Sequence, residues 1–140
     1  MSYVVIADLL LRFGDAEMRQ LSDIETPRTG AVVDAVVQRA IDDASAWIDS
    51  YLVGRYALPI TDTRALDALR LHCGNEARYL LMTTNPDEVA VKGHEERVAW
   101  LKAVAKGDIV LIAPEAMPAA AGVGDVLFDG GSKLFGRGGY

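Results

Sequence analysis

The chain has 140 residues, 51% hydrophobic and 24% charged, with a formal charge of −6. That length specifies one domain, burying about two-thirds of its unfolded surface, while the acidic balance excludes a protein that wraps nucleic acid with clustered Lys and Arg. The apolar fraction leaves material for a contact between subunits, and a single cysteine, Cys73, excludes an internal disulfide and fits a reducing compartment.

The opening MSYVVIADLLLRFGD has no basic start and meets Asp8 after a few apolar residues, so neither a signal peptide nor a membrane span is expected. From Val4 to Phe13, apolar residues at Ile6, Leu9, Leu10 and Phe13 recur at helical spacing. Gly14 stops this helix, and DAEMRQLSD predicts a second short one with acids in its first turn. Pro27 and Gly30 in ETPRTG then break the pattern.

The longest helical pattern runs from about Asp34 to Val53. Val33, Val36, Val37, Ala40, Ile41, Ala44, Trp47, Ile48, Tyr51 and Leu52 recur at steps of three and four, with Asp34, Gln38, Arg39, Asp42, Asp43 and Asp49 between them. Gly54 is expected to take a left-handed conformation just past the helix end, and Pro59 forbids continuation. A third long pattern, about Thr63 to Met82, has Leu66, Leu69, Cys73, Ala77, Leu80 and Leu81 on one face, and Gly74 inside it marks a close helix approach. Asn85 or Asp87 is expected to cap a last helix from Glu88 to Lys106. Its inward residues are predicted to be Val91, Val98, Leu101 and Ala105, flanked by Trp100 and Val104, with Gly107 as the stop.

Beyond Gly107 the period is lost. Seven of the thirteen glycines (122, 124, 130, 131, 136, 138, 139) fall after residue 120, and LFDGG and LFGRGG form a near-repeat. Residues 1–107 are therefore read as a helical domain and 108–140 as an arm, with a short strand at Ile109–Ile112. The expected fold class is all-α: a four- to five-helix bundle with an extended Gly-rich C-terminal arm.

No catalytic constellation is present in this pattern. His72, Cys73 and His94 are the only soft metal ligands and sit on two helices, so no metal or cofactor is expected; they read as a buried thiol and two helix-surface imidazoles. Ser22, Ser45, Ser50 and Ser132 have no nucleophile elbow around them. GVGDVLFDGG lacks the strand-then-helix context of a phosphate loop, and Asp42-Asp43 reads as a solvated helix face. The turn WIDSYLVGRYALP, residues 47–59, is richer. Arg55 and Tyr56 are candidates for stacking on a base or ligand, for a staple in which Tyr56 folds back over the helix, or for a subunit contact through the guanidinium.

Four stretches, DLLLRFGDAEMRQLSD, ASAWIDSYLVGRYALP, CGNEARYLLM and RVAWLKAVAKGDIVL, occur in an order and spacing that resemble a family of small proteins of Mu-like phages and prophages. The resemblance covers roughly residues 3 to 112, and its most specific part is Asp49 to Pro59. That family is similar in turn to the helical head-tail connector, or adaptor, proteins of long-tailed phages. The resemblance implies a non-enzymatic virion protein, made in the host cytoplasm and placed in the neck. It implies a ring of copies of the chain, typically twelvefold, beneath the portal protein and presenting a surface to the next neck or tail-terminator protein. DNA would pass through its channel without sequence-specific binding. A closed ring needs two different patches per subunit, and an acidic lumen would not grip phosphates. Interface candidates are Arg55, Tyr56, Leu127, Phe128, Leu134, Phe135, Arg137 and Tyr140. The arm is expected to be mobile in the free subunit and ordered on assembly, because ordering Gly-rich chain costs about 1–2 kcal/mol per residue and needs a compensating surface. The alternative is a small helical adaptor or regulatory module that binds one soluble protein partner through the arm.

Overall fold

A computed structural model describes residues 2–83 and 85–113. Five helices follow in order: α1 (Ile6–Phe13), α2 (Asp15–Ser22), α3 (Asp34–Leu52), α4 (Thr63–Leu81) and α5 (Glu88–Lys106), with no strand among the described residues. The protein is all-α. The three long helices have 19 residues each, about 28 Å at 1.5 Å per residue.

Helix α3 is the centre of the core. Val37, Ala40, Ile41, Ala44, Ile48 and Leu52 are buried at steps of three and four. Leu69, Cys73, Ala77 and Leu101 close over them, with Leu80 packed at the edge. At the α3–α4 crossing Ser45 Oγ lies 3.4 Å from Cys73 Sγ, and Ala44, Cys73 and Ala77 are buried in the same cluster. The start of α3 lies beside the end of α4, where Val36 and Ala40 share a cavity wall with Leu80 and Leu81. His72 packs at a tilt against Trp100 while Glu76 bonds Arg97. The long helices therefore run up, down and up.

Helices α1 and α2 lie across the α3–α4 pair. Gly74 admits α1 as expected: a Cβ there would sit 2.5 Å from Arg12 Nη1 and 3.5 Å from Leu9 Cδ2. Tyr3 and Val4 are buried ahead of α1 rather than forming its first turn, and the Tyr3 N–H donates to Ser45 Oγ at 3.2 Å. Caps fall where short polar side chains allow: Asp62 accepts from the Ala65 N–H at 3.0 Å and Asp87 from the Ala90 N–H at 2.8 Å. Gly107, at φ +91°, ends α5 in the left-handed conformation.

Four expectations are corrected. Gly54 does not have a positive φ. The Arg55 and Tyr56 N–H groups both donate to the Leu52 carbonyl, at 2.9 and 2.8 Å, so the chain winds one tight right-handed turn beyond α3 before leaving it. Ile109–Ile112 is no strand: Ile112 is buried and Ile109 and Leu111 pack against the helical core, which offers no sheet edge to pair with. The inner residues of α5 are Ala90, Arg97, Leu101 and Val104, a face rotated from the expected one, with Val91, Val98 and Ala105 on its flanks. His72 and His94 are half-buried and packed against aromatic rings, not free on helix surfaces.

Candidate functional site

The turn after α3 is built around Tyr56. Its ring is 5% exposed, and its hydroxyl accepts the Leu111 N–H at 3.1 Å, tying the turn to the segment after α5. Tyr56 is thus the staple. Arg55 is exposed and lies across Gly107, where a Cβ would come within 2.6 Å of its Nη2. The guanidinium therefore sits over the carbonyl end of α5, favourable for a cation. Val53 and Val110 flank this end of the bundle, 66% and 61% exposed.

A second apolar surface lies along α1 and α4. Leu11 is 87% exposed, and shares a shallow groove with Val4, Asp8, Arg12 and Arg70. Leu71, half exposed, is joined to it through Arg12, whose Nη1 donates to the Leu71 carbonyl at 3.3 Å. Leu127, Phe128, Leu134, Phe135, Arg137 and Tyr140, the other interface candidates, lie outside the described residues.

The seam between α4 and α5 holds a polar cluster that the sequence reading missed. Glu76 is buried and accepts from Arg97 Nε at 2.7 Å, and His94 Nδ1 lies 2.9 Å from its other oxygen. The His94 ring is stacked between Tyr79 (4.4 Å between centroids) and Trp47 (5.5 Å), and Trp47 meets Tyr51 edge-on. One signal was present: Glu76 falls at i+3 from Cys73 and i−4 from Leu80, inside the apolar stripe, and Arg97 at i−4 from Leu101 on the facing helix.

Other polar groups are also used internally. Tyr3 Oη donates to Asp49, and burial, followed by that bond, raises the phenol well above its ordinary value. Burial pushes the Cys73 thiol up against the lowering effect of Ser45, so it stays protonated and unreactive at neutral pH. Burial, and then the Arg97 charge, lowers the His72 imidazole. Asp23 organises the loop before α3: it accepts from the Thr29 N–H at 2.9 Å and the Gly30 N–H at 2.8 Å, and the Thr29 bond leads in holding its carboxyl below 3.8. Among the described residues, no three His, Cys, Asp or Glu side chains gather as a metal site, and no helix is long and apolar enough to cross a membrane.

By class, then, this is an all-α bundle with a buried polar seam between α4 and α5 and several exposed apolar side chains on an otherwise charged surface. Residues 3–128 match the family described as Bacteriophage Mu, Gp36, and the chain belongs to that family. Gene product J of Escherichia phage Mu is 34% identical over 109 residues, 76% of this chain and 74% of that protein. The Mu-like prophage FluMu protein gp36 of Haemophilus influenzae is 40% identical over 85 residues, 61% of this chain; the match spans only 59% of that relative's length. The chain is a Mu-type phage or prophage protein.

Proposed function

We propose that the chain is a head-tail connector subunit, a structural protein of the virion neck that repeats as a ring beneath the portal protein. The observation that carries this reading is the pair of unlike exposed surfaces: Val53, Arg55 and Val110 around the carbonyl end of α5, and Leu11 with Leu71 on the α1–α4 side. A ring formed by one repeated contact is heterologous, so each subunit needs two different patches that complement each other. Membership of the Mu Gp36 family supports a place in the particle. The net charge of −6 suits the wall of a channel through which DNA must slide. The protein acts by contact and not by bond chemistry, consistent with its buried, protonated thiol.

The test is complementation of a phage lacking the gene. Wild-type chain should be found at the neck of purified particles by immunogold labelling and should co-assemble with portal rings. Leu11→Asp and Arg55→Ala chains should fold with a nearly unchanged melt, yet leave heads without tails. If both variants restore tailed, DNA-filled particles, neither surface is a subunit contact. A chain absent from particles that instead copurifies with one soluble protein would establish the regulatory alternative.

A further inference from the structure

Three cavities meet at Ile24, a residue 53% exposed, at the end of the bundle formed by the start of α3 and the end of α4. Their volumes are about 540, 270 and 150 Å³. Together they form an apolar trough lined by Leu21, Ile24, Val36, Ala40, Leu80 and Leu81. Its charged lining is mainly acidic, with Glu25 and Asp43 against Arg39; the other two acids are engaged, Asp23 by Thr29 and Gly30 and Asp87 by the Ala90 N–H.

Two arm segments carry a Leu-Phe pair that would fill such a trough, and charge distinguishes them. GDVLFDG, residues 124–130, brackets Leu127-Phe128 with Asp125 and Asp129, which the acidic rim would repel. GGSKLFGRGGY, residues 130–140, brackets Leu134-Phe135 with Lys133 and Arg137 and contains no acid. Reach is sufficient. The described chain leaves α5 at the opposite end of the bundle from the trough, about 28 Å away along the helices. The 20 residues from 114 to 133 span up to about 66 Å when extended.

We propose that Lys133–Arg137 of one subunit seats in the Ile24 trough of the adjacent subunit, with Leu134 and Phe135 beside Ile24 and the two cations on the acidic rim. The adjacent copy is the partner on the connector reading, in which every subunit carries both a trough and an arm and the arm's span of up to about 66 Å exceeds the length of one bundle. This rests on the connector reading for the identity of the neighbour. The matched family stretch ends at residue 128, so the inference stands on this chain's own residues.

Two measurements on the full-length chain test it. A fluorescein-labelled peptide of residues 130–140 should bind saturably, weaken with added salt, and lose at least about tenfold in affinity against Ile24→Asp, which is exposed and should fold normally. Absence of binding, or equal binding to Ile24→Asp, overturns the trough as its receptor. Chains carrying Ile24→Cys are then mixed with chains carrying Phe135→Cys under mild oxidation. A covalent dimer should form about tenfold faster than in a mixture of Leu11→Cys with Phe135→Cys chains, because docking raises the local thiol concentration. Equal rates overturn the proposal. So does a chain carrying both Ile24→Cys and Phe135→Cys that, on dilution, closes onto itself in preference to dimerising, since the arm would then fill its own trough. Neither measurement uses particles, so a failure here is separable from a chain missing at the neck.

Discussion

The two seams that join the long helices are made of different material. Between α3 and α4 the contact is apolar and small, with Ala44, Ile48, Leu69, Cys73 and Ala77 buried together and one weak Ser45–Cys73 contact. Where α5 joins, the buried Glu76–Arg97 pair and the stacked His94 sit in the seam, and Tyr56 clamps the far end. Apolar burial is non-directional, so the first seam supplies stability but tolerates sliding and rotation. A buried ion pair adds little net stability, yet misplacing either partner leaves a desolvated charge alone. The second seam is therefore expected to set the register of α5, whose end brings Gly107 and the following Val110 to the turn after α3.

The largest expected effect breaks the second seam. Glu76→Ala strands the Arg97 charge and should cost roughly 3–5 kcal/mol in a denaturant melt. Glu76→Leu with Arg97→Met should recover most of that loss; if it is as damaging as Glu76→Ala, the pair is stabilising in its own right. In the apolar seam, Ile48 is fully buried, and Ile48→Ala should cost about 2–5 kcal/mol. A loss below half a kcal/mol would mean that α3 buries another face.

Smaller changes sharpen the clamp. Gly107 needs its left-handed φ and has Arg55 over it, so Gly107→Val should destabilise by roughly 1–3 kcal/mol. Gly54→Ala, in open space without a positive φ, should be neutral or stabilise by under about 1 kcal/mol. Tyr56→Phe removes the acceptor for the Leu111 N–H and should cost about 0.5–1.5 kcal/mol, with faster amide exchange at Leu111.

The smallest effect is one of pH. Asp23 has a folded value below its ordinary 3.8, so its contribution is complete above that value and is lost as pH falls through the lower folded one. The stability gap between wild type and Asp23→Asn should be constant near neutrality and narrow below pH 3.8. A gap that instead narrows on raising the pH would remove Asp23 from the folded loop's charge balance.

Local pattern determined the helices. The 3.6-residue period located α3, α4 and α5 nearly to the residue, Asp87 and Gly107 marked the ends of α5, and Ile48 was legible as core, because each is read from neighbours within a few turns. Only the tertiary structure decided what depends on distant partners. Arg97 turns inward because Glu76, 21 residues earlier, waits on the facing helix; counting apolar residues along α5 alone does not include it. Gly54 keeps an ordinary backbone because the buried Tyr56 draws the chain through one more right-handed turn, and a glycine's permissiveness does not say that the fold will use it. Ile109–Ile112 has strand composition but meets helices instead of a sheet edge, so its side chains settle on the core. A short apolar run has no conformation of its own until the packed surface beside it supplies one.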